Sequence, residues 1–259
     1  MKLLSTLEIS TKGRCGLISN LVYTKKKNNI ASLTKILKKT NCFIKNHNEP
    51  FRNIYQNNII FMEKNFYAYL EKYHGNLVEN IRLNEDSIER LNDCSRIIKL
   101  TRGEMLQMEG EVSKIWGFVT QGLVRTYYKK GDTEVTEKLS HEGDNFIDYE
   151  SFFRKTISNR NIQTIEPSVI FMFKYNELER ICDEDKEIKK LFRRLKNENL
   201  IKVKERLDDS VFESAKLKFM TLLEKTPQYV LRVPSIFIAS YLGITPETLS
   251  RIRAKMRID

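Results

Sequence analysis

The 259-residue chain has only four cysteines, at positions 15, 42, 94 and 182, and none form a C-x-x-C pair. Such scatter is unsuited to zinc, an iron–sulfur cluster or a disulfide framework, and it reads as cytosolic thiols. Its three histidines, His47, His74 and His141, are equally dispersed, so no metal site is assigned. No apolar run approaches the length of a bilayer span, and the longest clusters, such as 169–173, fit strands. At the amino terminus Leu3-Leu4 is soon interrupted by Ser5, Thr6 and Glu8, which is no secretory signal. A cytoplasmic protein without membrane partners is expected. The chain also lacks the serine elbow, the phosphate-binding loop, the H-E-x-x-H zinc motif and the dinucleotide fingerprint. Paired acids such as Asp183-Glu-Asp185 read as a helix-start cluster facing solvent. No enzymatic role, and no cofactor, is therefore expected.

Positive charge, by contrast, is abundant and uneven. Residues 1–61 hold eleven Lys or Arg against two acids, a net +9. Residues 62–213 hold 26 basic and 29 acidic side chains, a net −3, and residues 214–259 hold eight and three, a net +5. Basic character at the carboxyl end is what a phosphate-contacting face needs. The first 61 residues, biased toward Asn, Lys and Ile without sustained periodicity, admit two readings: a basic arm on DNA, or an extension translated from a misplaced start. The second is preferred, because recognisable elements begin at Met62. This segment is expected to be loose or disordered, apart from a short helix near Ser32–Lys39.

From Met62 onward the chain is long enough for two modest domains. Helices are expected over 63–73, where Phe66, Tyr69, Leu70 and Tyr73 share a face, and over 84–93. Gly103, Gly110, Gly117, Gly122, Gly131 and Gly143 then punctuate strand-like stretches such as 123–128 and 134–139. That rhythm predicts an antiparallel roll or barrel. Across 175–211, Ile181, Ile188, Leu191, Leu195, Asn199 and Val203 fall on one helical stripe. The expected boundaries are a roll with flanking helices over 62–175, a long helix over 176–211, and a helix-turn-helix domain over 212–259.

The segment 235–254, SIFIASYLGITPETLSRIRA, carries the most specific pattern. Ile238, Leu242, Ile244, Leu249 and Ile252 supply the apolar positions that pack two short helices, and Ala239 is small where they approach. Gly243 suits the left-handed residue after the first helix. Thr245 then serves as a hydroxyl N-cap and Pro246 as the first residue of the second helix. Glu247, Ser250 and Arg251 occupy the turn that a recognition helix places in the major groove.

The stretch Ala239–Arg251 resembles the recognition segment of the Crp/Fnr transcription regulators, whose typical form is LA-x-x-LG-x-x-x-ET-[VIL]-SR. The pieces Arg102-Gly-Glu104, Gln121–Arg125 and Gly143-Asp144 are similar to turns of the cyclic-nucleotide-binding fold, and the resemblance covers about 62–259. It implies an α+β protein: a cyclic-nucleotide-binding-like antiparallel β-roll, a long dimerisation helix, and a carboxyl-terminal winged-helix-like helix-turn-helix domain. It implies a homodimer that binds double-stranded DNA, with RNA polymerase and a small-molecule effector as further partners. Glu247 would accept from a cytosine amine, and Arg251 would reach guanine O6 and N7. Ser250 would contact a thymine edge or a phosphate, while Thr245, Arg253 and Lys255 would position the helix on the DNA backbone. The carboxyl-terminal half of the long helix would pair with a second subunit, with Asn199 a polar core residue fixing register; the other reading is a helix packed only on its own roll.

The cyclic-nucleotide pattern itself is eroded. Glu150, within Asp148–Phe152, and Arg160, followed by Asn161, hold the places of the ribose-binding acid and the phosphate-binding cation and hydroxyl. Both pattern glycines are gone, and with them the exposed backbone donors that let a loop approach phosphate. Glu150 and Arg160 read more simply as a surface or cross-strand ion pair, so cyclic nucleotide binding is not expected. The other reading of the whole chain is a ligand-binding signalling module whose helix-turn-helix serves only packing.

Overall fold

Residues 65–79, 81–212 and 214–258 are described by a computed structural model. The expectations for residues 1–61 lie outside the described residues.

Helix α1 (Phe66–Val78) opens on Asn65, whose side chain accepts from Ala68 N, and bends at His74. Helix α2 (Glu85–Cys94) opens on Asn84, with Glu85 and Asp86 favourably placed in its first turn. Eight strands follow: β1 (Arg96–Leu100), β2 (Met105–Gln107), β3 (Ile115–Gln121), β4 (Val124–Lys130), β5 (Thr133–Ser140), β6 (Asn145–Phe146), β7 (Asn161–Thr164) and β8 (Ser168–Lys174). Helix α3 (Tyr149–Arg154) sits between β6 and β7. The strands make two antiparallel sheets, in the orders β1-β8-β3-β6 and β2-β7-β4-β5. This is the expected antiparallel roll.

Strand alternation divides the core in two. Val119, Val124, Phe146, Ile162 and Ile170 pack inside the roll. On the opposite side of β3 and β8, Trp116, Phe118, Phe171 and Phe173 pack against the helices. Because both faces of these strands are buried, each reads as a continuous apolar run rather than as an alternation. Phe66 of α1 meets Phe118, Phe171 and Phe173 edge-on, at centroid separations of 4.8, 5.3 and 4.6 Å. Gly117 is required inside the roll, where a Cβ would lie 2.0 Å from the Phe146 ring.

The single helix expected over 175–211 is two helices, α4 (Tyr175–Glu184) and α5 (Lys186–Phe212). Asp185 separates them in extended conformation, and its carboxylate accepts from the Glu187 and Ile188 amides that open α5. The same carboxylate accepts from Ser87 Oγ at 2.5 Å and Arg90 at 2.9 Å, tying the break to α2. Of the acidic cluster read as solvent-facing, Asp185 is in fact buried.

The stripe on α5 also needs correcting. Ile188, Leu191, Phe192, Leu195 and Asn199 are buried within this chain, on its own roll. Asn199 Nδ2 donates to Asn145 Oδ1 at 2.7 Å, an oxygen that also accepts from Trp116 Nε1 at 3.3 Å. A buried amide must find partners, and those of Asn199 lie within this chain. Among the described side chains of α5, Leu200, Ile201 and Val203 are the exposed large apolar ones, at 51, 58 and 48% exposure.

Four helices complete the described chain: α6 (Ala215–Lys225), α7 (Pro227–Arg232), α8 (Ser235–Leu242) and α9 (Pro246–Ile258). Phe219, Leu222, Leu223, Tyr229, Ile238, Ala239, Leu242 and Leu249 are buried among them. Among the described residues 214–258 there is no strand, so the likeness to a winged helix stops at the helices. The described residues up to Arg253 fall in one compact unit.

Candidate nucleic-acid interface

The turn between α8 and α9 is built as its residue types require. Gly243 takes φ 67°, ψ 34°, and the Ile244 amide donates back to Ala239 O at 3.0 Å while the Gly243 amide reaches Ser240 O at 3.1 Å. This pair of bonds closes the end of α8 through a left-handed residue. Thr245 Oγ1 then accepts from the Thr248 amide at 3.2 Å, and Pro246 is the first residue of α9. Leu249, 1% exposed, anchors α9 to the helices beneath it.

With Leu249 turned inward, Glu247, Ser250 and Arg251 are left exposed, together with Thr245 and Lys255. The Glu247 carboxyl is held below its ordinary value by its own backbone N–H, then by the Thr245 hydroxyl and by the Arg251 charge. It is thus an anionic acceptor at neutral pH, one helical turn from the Arg251 fork. Arg253 is placed differently. Its guanidinium donates to Ser235 Oγ at 2.7 Å and lies 5.5 Å from the Phe219 ring centroid, so it braces α9 against α8 and α6.

In the roll, the residues named for a ligand do not converge. Glu150 accepts from Arg154 at 3.1 Å, one turn along α3. Arg160 pairs with Glu137 of β5 at 2.6 Å, stacks 5.0 Å from Tyr128, and also donates to the Asn159 side chain. The Glu137 hydrogen bond raises the Arg160 pKa, so this cation is firmly engaged. Asn161 is buried, its Oδ1 accepting from the Glu109 amide at 3.0 Å. The ion pair expected between Glu150 and Arg160 is therefore two separate pairs, because α3 and β7 place the side chains against different neighbours. The two described cysteines are kept as thiols: burial pushes Cys94 up to about 11 and Cys182 up to about 12. Among the described residues no group of three or more His, Cys, Asp or Glu is placed to hold a metal ion. No described helix is long and apolar enough to cross a membrane.

This arrangement of roll, long helix and helix-turn-helix recurs in solved structures. FixK2 from Bradyrhizobium japonicum superposes with a TM-score of 0.55 at 19% identity, over 63% of this chain and 85% of that one. A chain described as a transcriptional regulator of the Crp/Fnr family from Eubacterium rectale gives 0.54 at 16% identity, over 68% and 84%. The c-di-GMP-responsive global regulator CLP of Xanthomonas campestris gives 0.53 at 15% identity, over 68% and 93%. The fold is that of the Crp/Fnr regulators. No family model and no curated protein matches the sequence.

Sequence reasoning missed a second set of residues, on the far side of α8. Phe237 lies 3.9 Å from the guanidinium of Arg125 in β4, and Tyr241 lies 3.9 Å from that of Arg206 in α5. Between them, Ser240 Oγ accepts from the Thr136 amide at 2.8 Å and donates to Glu134 O at 3.0 Å, both on β5. Their signal is in the sequence: SIFIASYL carries the aromatic Phe237 and Tyr241 beyond the Ile238, Ala239 and Leu242 that packing within the helix-turn-helix needs. A short helix with aromatic side chains on its other face is buried on both sides.

Proposed function

We propose that this protein is a dimeric, sequence-specific DNA-binding transcription regulator of Crp/Fnr type. The carrying observation is the outward face of α9: Glu247, Ser250 and Arg251 are exposed on the first turns of a helix whose inner side is fixed by Leu249. Arg251 donates its paired N–H groups to guanine O6 and N7, and Glu247 accepts from a cytosine amine. Ser250 contacts a thymine edge or phosphate, and Thr245 and Lys255 hold the helix on the backbone. Arg253 acts from behind, through Ser235 and Phe219.

One recognition helix reads too few base pairs for useful specificity, so the function calls for a dimer. Its seam is proposed on the exposed part of α5 that carries Leu200 and Val203, three residues apart on one face, rather than on the buried Leu195 and Asn199. Cyclic nucleotide recognition through Glu150 and Arg160 is not part of this reading, since Glu137 already occupies Arg160. A different effector, contact with RNA polymerase and a cytoplasmic setting belong to the proposal by resemblance to the family.

Selection of duplexes from a random pool, followed by binding at several salt concentrations, tests the reading. The expected product is an inverted repeat with half-site centres one helical turn, ~34 Å, apart. Retention of duplexes without sequence preference would instead favour a module whose helix-turn-helix serves packing.

A further inference from the structure

The α8 face that docks on the roll has a consequence for DNA recognition, one that rests on the regulator reading above. β5 is the edge strand of its sheet, so the Glu134 carbonyl and Thr136 amide on its free side need partners. Ser240 supplies both with one hydroxyl. Beside it, Arg125 is 1% exposed, and its guanidinium is layered between Tyr127, at 4.2 Å, and Phe237, at 3.9 Å. Its Nε donates to Thr136 Oγ1 at 2.9 Å and its Nη1 to Glu134 at 2.7 Å. A planar cation stacked on both faces and hydrogen-bonded at its edge tolerates little rotation. Phe237 and Ser240 sit on the helix that the Gly243 turn, closed by two backbone hydrogen bonds, joins to α9, so what fixes them bears on the recognition helix.

We propose that Arg125 and Ser240 are positioning residues for DNA recognition. They set the angle at which the roll carries α9, and hence the spacing of the two recognition helices in a dimer, while touching no DNA. Two helices held at the operator spacing bind as a linked pair, whereas loosened helices bind one at a time.

The test uses the full chain carrying Ser240→Ala, Phe237→Ala or Arg125→Lys, because Arg125→Ala leaves a hole in a buried site. Hydrogen exchange of the Thr136 amide, measured without DNA, reports on the docking, and amides of β8 report on global unfolding. Binding is measured on the selected inverted repeat and on a duplex holding a single half-site. Exchange at Thr136 should accelerate in Ser240→Ala while β8 stays protected. Affinity for the repeat should fall about tenfold or more, with single half-site affinity held within about twofold. An equal loss on both duplexes, or an unchanged repeat affinity once Thr136 exchange has accelerated, overturns the positioning role. Unchanged Thr136 exchange in Ser240→Ala overturns the docking itself. Should the unsubstituted protein show no sequence preference at all, the regulator reading falls instead, and the exchange data still decide whether α8 docks on β5.

Discussion

The helix-turn-helix and the roll loop around 148–162 both offer acidic and basic side chains in positions that a ligand-reading protein uses. They are deployed in opposite ways. On α9, Glu247 and Arg251 share the exposed face of one helix and leave their hydrogen-bonding edges toward solvent. In the roll, Arg160 is committed to Glu137 across the sheet and Glu150 to Arg154 along its own helix. A charged pair one helical turn apart is fixed by local geometry whatever surrounds it. Arg160, just before β7, meets Glu137 of β5 from 23 residues away, a pairing that only the folded roll creates. On α9 the charged side chains stay exposed, whereas in the roll Arg160 and Glu137 tie separate segments together and Glu150 and Arg154 form an exposed pair along α3.

The largest expected effect that separates the two regions comes from Leu249. Its truncation to Ala should destabilise the carboxyl-terminal helices by roughly 2–5 kcal/mol in denaturant titrations, since a fully buried leucine leaves a cavity. The change should also abolish DNA binding while the aromatic core about Phe66 keeps its near-ultraviolet signal. If that core melts together with the helices, the two regions are energetically one.

Gly243→Ala should cost about 1–2 kcal/mol, because the turn demands a left-handed residue and not because space is short. The measurement is the same titration. A neutral result would mean that the turn relaxes freely and does not hold α9 in place. Arg160→Ala should cost about 1 kcal/mol, as expected of a partly exposed pair, and should leave DNA affinity untouched. An altered response to an added cyclic nucleotide would return the roll loop to the role of a ligand site.

The smallest effect concerns acid. Burial acts to raise the Glu142 carboxyl, but the hydrogen bonds and charge of Arg232, with the Gly122 amide, outweigh it and hold it below its ordinary 4.5. Arg232 grips both Glu142 oxygens, at 2.7 and 2.8 Å, and also pairs with Glu166. A depressed carboxyl contributes stability above its unfolded value and loses it as pH falls through the folded one. Melting temperature should therefore drop below about pH 4.5, and Glu142→Gln should flatten that acid limb. An acid limb of unchanged steepness in the variant would assign it to other carboxyls.

What the sequence made legible follows the same division. The α8–α9 turn is specified by residues adjacent in the chain, Gly243, Thr245 and Pro246, and each does what its side chain allows. The two-sheet roll showed in glycine spacing, because tight reversals need backbone freedom wherever the chain turns. The apolar stripe of 181–203 was visible, but periodicity shows only that a face is buried, not against what. The start of a helix at Asp185 was legible, because it caps the adjacent Glu187 and Ile188 amides, but its burial against Ser87 and Arg90, far away in sequence, was not. Arg125, one buried cation among many exposed ones, became recognisable only when β4 and α8 were brought together.

The central claim is that Arg251 reads a base, and one comparison tests it most directly. Affinities of the unsubstituted protein, Arg251→Ala and Lys255→Ala are measured on the selected repeat and on random duplex across a range of salt. Arg251→Ala should lose roughly 1–3 kcal/mol on the repeat, relax preference at one base pair per half-site, and leave random duplex binding unchanged. Lys255→Ala should weaken both duplexes alike and lower the slope of log affinity against log salt by about 0.9. Equal losses on repeat and random duplex for Arg251→Ala would contradict the claim.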